Sequence, residues 1–150
     1  MTPFDRWLLI VANLLAGGTG VIYGWFRYFT GPVDEFSLVH PWQPAAHTAH
    51  VLAAPLLAIV IGHFFYHHAL LSWKAQVRTG KRSGLTMLAL ALPMIVSGYL
   101  LQISVHDGWR NAWIIVHVAT ALIWLTGCGA HLFTHARHRQ RVRAEDWRPE

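Results

Sequence analysis

Four stretches of this 150-residue chain, about residues 7–29, 47–72, 84–104 and 111–134, are apolar over lengths that cross about 30 Å of hydrocarbon at about 1.5 Å per residue. Inside a bilayer every backbone N–H and C=O needs a partner within the protein, so runs of this length have to be helices. The composition agrees: 54% of the residues are hydrophobic and 13% charged, against about 25% charged in soluble domains. The expected fold is all-α, an integral membrane four-helix bundle, with residues 1–150 forming a single transmembrane domain that ends in a basic tail at 135–150. No separate soluble domain is expected within these residues.

A sequence pI of about 10.0 would suit a nucleic-acid binder until the charges are placed along the chain. Lys74, Arg78, Lys81 and Arg82 fall between the second and third spans; Arg137, Arg139, Arg141, Arg143 and Arg148 follow the fourth; Arg6 precedes the first. Only Arg27 and Arg110 lie at the opposite ends. By the positive-inside rule both the N and C termini are expected to be cytoplasmic and the loops around 30–46 and 105–110 to face the other side, and the expected location is a bacterial inner membrane. The charge is thus topological, the expected partner is the lipid bilayer, and no nucleic acid is implied. Trp7, Trp25, Trp42, Trp73, Trp109 and Trp113 fall near span ends, where amphipathic rings anchor at headgroup level. Arg6 ahead of an apolar run resembles a signal peptide, but the run continues through Val21, Ile22, Trp25 and Phe26, so an uncleaved first span is expected.

Within the spans few residues depart from plain hydrocarbon. Gly20 and Gly24 of span one have the G-x-x-x-G spacing that admits a neighbouring helix or a flat ring, and the same pair permits a homodimer or a larger complex. Pro55 should bend span two. Span three carries only Pro93, Ser97 and Gly98 as notable features and is expected to close the bundle. The single cysteine, Cys128, excludes an intramolecular disulfide and the C-x-x-C-H attachment of c-type haem.

The histidines are the exception. His117 and His131 lie fourteen positions apart in span four, and His50, His63, His67 and His68 lie in span two. Imidazoles are costly in hydrocarbon unless bonded, so a set this large needs a reason. Fourteen residues leave His117 and His131 about 40° apart on one helix face and about 21 Å apart along the axis. On span two, His50 and His68 are about five whole turns apart and share a face, while the Pro55 bend could bring His63 or His67 into line instead. Spans two and four run in the same direction, so their outer ends are level and their inner ends are level. Two haem b groups, held non-covalently between paired imidazoles, are expected: an outer one on His50 and His117, an inner one on His68 and His131, with His47, His63 and His67 as alternatives. Two imidazoles on each iron leave no open position, which favours electron transfer over gas binding. Each ring should pass its other N–H to a backbone carbonyl or side chain, Thr48 and Thr120 being candidates. A hydrogen-bonded core role is the plainer reading of any one of these histidines. His40 and His106 are expected in solvent, and His135 and His138 belong to the basic tail.

HPWQPAAHTAHVLAAP leading into span two, SGLTMLALALPMIVSGYLLQ across span three and WRNAWIIVHVATALIWLTGCGAHL through span four resemble the four-helix di-haem cytochrome b superfamily. This is the cytochrome b-561-like group that includes the membrane subunits of nickel-iron hydrogenase and formate dehydrogenase. The resemblance covers about residues 40–133. It implies bis-histidine b haems, with His117 and His131 matching the last-helix ligands and His50 a ligand of the preceding histidine-bearing helix. It also implies a quinone-reactive site at one membrane face, and exchange with a redox partner such as a periplasmic c-type cytochrome. Those subunits draw a ligand from their first helix, whereas span one here has no histidine, so both partners come from span two. The expected activity is electron transfer between the quinone pool and that partner, with quinol oxidation here or in an associated subunit. His135, Glu35 and Asp107 are candidates for the proton route. The competing readings are a haem-free anchor subunit of a larger complex and a histidine-based metal transporter, the latter short of carboxylate or thiolate company in the spans.

Overall fold

The computed structural model describes residues 3–65 and 81–146, and among these it contains four helices: α1 (Pro3–Tyr28), α2 (Gln43–Phe64), α3 (Lys81–Ile103) and α4 (Asp107–Asp146). Each holds a segment long and apolar enough to cross a membrane: Phe4–Tyr28, Gln43–Phe64, Thr86–Ile103 and Asp107–Ala130. The chain divides into two compact units, residues 1–88 and 89–150, with the division falling inside α3.

The helix ends follow from local chemistry. Pro3 opens α1, where a missing N–H costs nothing, Asp5 and Arg27 match the helix dipole at the two ends, and Gly31-Pro32 blocks continuation. The Thr30 hydroxyl donates to Phe26 O at 2.8 Å and the Phe29 N–H to Trp25 O at 2.9 Å, satisfying carbonyls of the last turn. Trp42 precedes α2 without a side-chain cap of its own, and Pro44 sits in the first turn. The preceding turn is held instead by His40, whose Nδ1 accepts the Trp42 N–H at 3.2 Å. The start of α4 is held the same way: His106 Nδ1 accepts the Gly108 N–H at 3.2 Å.

α4 runs 40 residues, about 60 Å, and so continues to Asp146 through most of the stretch expected as a basic tail. After Gly129 that stretch has neither Gly nor Pro before Pro149 and is rich in Arg, which propagates a helix. Residues 66–72 of the expected second span, with His67 and His68, lie outside the described residues.

In the first unit Ala12 and Ala16 of α1 and Ala53, Leu57, Val60 and Ile61 of α2 are buried, and the small alanines let the helices approach closely. The order of contacts, Asp5 with His63, Ala16 with His50 and Tyr23 with His47, makes α1 and α2 antiparallel. Among the described residues of the second unit, Ala91, Met94 and Ser97 of α3 and Trp124 of α4 are buried. Large aliphatic side chains such as Leu14, Val21, Leu52, Ile59, Leu92 and Ile115 are exposed, the pattern hydrocarbon solvent accepts and water does not.

Candidate functional site

His50 lies on α2 against α1. Its Nδ1 is 2.9 Å from Ala16 O and 3.4 Å from Thr19 Oγ1. A backbone carbonyl can only accept, so Nδ1 carries the ring proton and Nε2 is the nitrogen with the lone pair. The Thr19 hydroxyl donates along its own helix to Leu15 O and Ala16 O, so it too turns an acceptor toward the ring. Gly20 completes the seat: a Cβ there would stand 2.9 Å from His50 Cε1 and 3.1 Å from Nδ1. One turn of α1 therefore supplies a carbonyl, a hydroxyl and a bare Cα to one imidazole.

His117 on α4 has the same surroundings, built from α3. Its Nδ1 is 2.9 Å from Met94 O and 3.4 Å from Ser97 Oγ. The Ser97 hydroxyl donates back to Pro93 O at 2.6 Å and Met94 O at 3.1 Å, and Ser97 is 1% exposed. A Cβ on Gly98 would lie 3.1 Å from His117 Cε1 and 3.3 Å from Nδ1. The carbonyl, hydroxyl and glycine again sit at i, i+3 and i+4. The tautomer is again the one with Nδ1 protonated.

The two seats belong to a longer internal correspondence. His40 and Trp42 precede His50-Val51 as His106 and Trp109 precede His117-Val118, and Thr19-Gly20 corresponds to Ser97-Gly98. The loops within the correspondence differ in length: Thr19 precedes His50 by 31 residues and Ser97 precedes His117 by 20. The Thr-Gly and Ser-Gly pairs, each followed downstream by His-Val, are the signal that would have found it.

Other expectations are refined. The Thr120 hydroxyl donates to Val116 O and His117 O of its own helix, at 2.7 and 3.1 Å, while the oxygens that meet the His50 and His117 rings come from α1 and α3. A hydroxyl on the histidine's own helix bonds its own turn, whereas one on the neighbouring helix faces the ring. Of Pro93, Ser97 and Gly98, expected only to close the bundle, Ser97 and Gly98 face the His117 ring and Pro93 O accepts from Ser97. Of the Gly20 and Gly24 pair, Gly20 faces the imidazole and a Cβ at Gly24 would meet nothing within 4 Å.

His47 lies beside Tyr23, ring centroids 4.9 Å apart. His63 Nε2 lies 3.9 Å from Asp5 Oδ1. His131 lies on the same unbroken helix as His117. His40, expected in solvent, stacks on Phe26 at 4.5 Å besides holding the α2 entry turn. Among the described residues no three His, Cys, Asp or Glu side chains gather as a metal cluster. No family model, no curated protein and no solved structure matches the chain.

Proposed function

We propose that the protein is a membrane-spanning di-haem b-type cytochrome that carries electrons between the quinone pool and a redox partner, such as a c-type cytochrome, on the periplasmic side of a bacterial inner membrane. Both termini are cytoplasmic in this reading, on the charge pattern. The observation that carries it is the state of His50 and His117: each has its Nδ1 proton directed at a backbone carbonyl, which makes Nε2 the basic nitrogen. Metal-bound histidines have this arrangement, the second-site hydrogen bond setting the tautomer and raising ligand basicity. His50 and His117 are the outer ligands, and His131 with His68 the inner ones. Haem iron, when bound, supplies a one-electron couple. The chain's part is to hold the imidazole planes, to keep the Nδ1 protons in place, and to keep water out with the surrounding apolar helices.

A second reading draws on the same hydrogen bonds. His50 to Ala16 O ties α2 to α1, and such a bond also serves a haem-free anchor subunit. The reduced-minus-oxidised visible spectrum of the purified full chain separates the two. The sharp α band of low-spin b haem is expected, and its absence from protein made with ample haem overturns the cytochrome reading. His50→Ala and His117→Ala should each remove the same one of two haem signals. Retention of both signals in either variant removes that residue from the ligand set.

A further inference from the structure

We infer that Thr19 with Gly20, and Ser97 with Gly98, are positioning residues that fix the rotation and the tautomer of the His50 and His117 imidazoles, and through them the affinity and potential of the bound haem. The inference rests on the cytochrome reading for its haem consequences, but its core concerns the rings alone.

Each Nδ1–H points at two oxygens, a carbonyl at 2.9 Å and a hydroxyl at 3.4 Å. Both hydroxyls have spent their own protons on the preceding turn of their helix, so neither can donate to the ring and reverse the tautomer. The glycine then limits rotation. Gly20 Cα lies under the ring edge, and a methyl group there, 2.9 Å from Cε1 and 3.1 Å from Nδ1, would push the ring away from Ala16 O and Thr19 together. At Gly98 the corresponding separations are 3.1 and 3.3 Å, so the same methyl displaces His117 less. The device occurs twice, with Thr in one case and Ser in the other and with different chain lengths to the histidine. A lone glycine admitted for helix packing would not bring the acceptor hydroxyl with it at the preceding position in both places.

Gly20→Ala and Gly24→Ala make a matched pair on α1. Both add the same methyl group to the same helix, but nothing lies within 4 Å of a Cβ at Gly24. The full chain, labelled with ring-¹⁵N histidine in lipid bilayers, is read by solid-state NMR before haem is added. Wild type and Gly24→Ala should show His50 and His117 as single tautomers protonated at Nδ1. Gly20→Ala should spread or shift the His50 ring signals and leave those of His117 alone. After haem loading, Gly20→Ala should weaken haem retention about 10- to 100-fold, the usual cost of a lost supporting contact. Thr19→Val, which keeps the shape and removes one acceptor, should raise the midpoint potential and shift the low-spin EPR g-values while haem stays bound. An Nε2-protonated ring in the apo protein, or ring signals and g-values in Gly20→Ala that match those of Gly24→Ala, overturns the inference. A chain that shows the Nδ1 tautomers but takes up no haem keeps the positioning and overturns the cytochrome reading instead.

Discussion

The His50 and His117 seats are alike in plan and different in tolerance. Each offers one imidazole a carbonyl, a hydroxyl and a glycine from one turn of the neighbouring helix. The methyl clearance is 2.9 Å at Gly20 and 3.1 Å at Gly98, while the hydroxyl is sealed at Ser97, which is 1% exposed, and half-buried at Thr19. The first seat is therefore limited by space and the second by burial. The same function can be made fragile in two separate ways.

The sharpest contrast is between Gly20→Ala and Gly98→Ala. Overpacking should cost about 1–3 kcal/mol at Gly20, partly offset by the roughly 1 kcal/mol that alanine gains over glycine within a helix. At Gly98 the ring needs to give by only a few tenths of an ångström, so the net change should be near zero. Reversible unfolding in mixed micelles checks this, and equal losses at the two sites would dissolve the distinction. Next, Ser97→Ala should cost about 1 kcal/mol, because a sealed hydroxyl that bonds Pro93 O and Met94 O is removed, and Thr19→Val should cost less. The ranking here reverses that of the glycines. If Thr19→Val proves the more damaging, burial is not what separates the seats.

The connections ahead of the two histidine helices differ as well. Residues 29–42 form a long loop, whereas only residues 104–106 join α3 to α4. In the long loop Asp34 accepts the Phe36 N–H at 3.0 Å. The Ser37 hydroxyl, with the Phe36 and Ser37 N–H groups, holds the Asp34 carboxyl below its ordinary value of 3.8. These bonds favour the ionised form, so the order they lend the loop is present above the ordinary value and is lost as pH falls through the lowered one. Amide exchange at Phe36 and Ser37 should therefore be slower, after correction for intrinsic rates, at pH 6 than at pH 3. The effect should be small, because the group is solvent-exposed, and Asp34→Asn should abolish it. Exchange in the short connection should not change through this group.

Much of the fold was open to reading from composition and order alone. Hydrocarbon forces the backbone to bond within its own segment, so about twenty apolar residues bounded by Gly, Pro and charges already define a helix. Gly31-Pro32 ends α1 for that reason. The α4 helix continues to Asp146, past the apolar stretch that could cross a membrane, which ends at Ala130. The Arg-rich sequence there, with no Gly or Pro before Pro149, has the propensity to continue a helix.

The histidines stood out in sequence because imidazoles in apolar runs are conspicuous, yet their partners did not. Thr120 lies one turn from His117 and looked like a natural acceptor, but its hydroxyl turns back on its own helix. The acceptors at Ala16, Thr19, Met94 and Ser97 lie 20 to 34 positions from the rings they meet. Period and spacing report which residues share a face within one helix. They do not report which turn of the next helix lies opposite, since that depends on loop length and on how closely small residues let two backbones approach. The chain by itself determined four lipid-compatible helices and a set of histidines within them. Only the packing decided which nitrogen of His50 and His117 holds the proton, because that choice is made by a carbonyl on another helix.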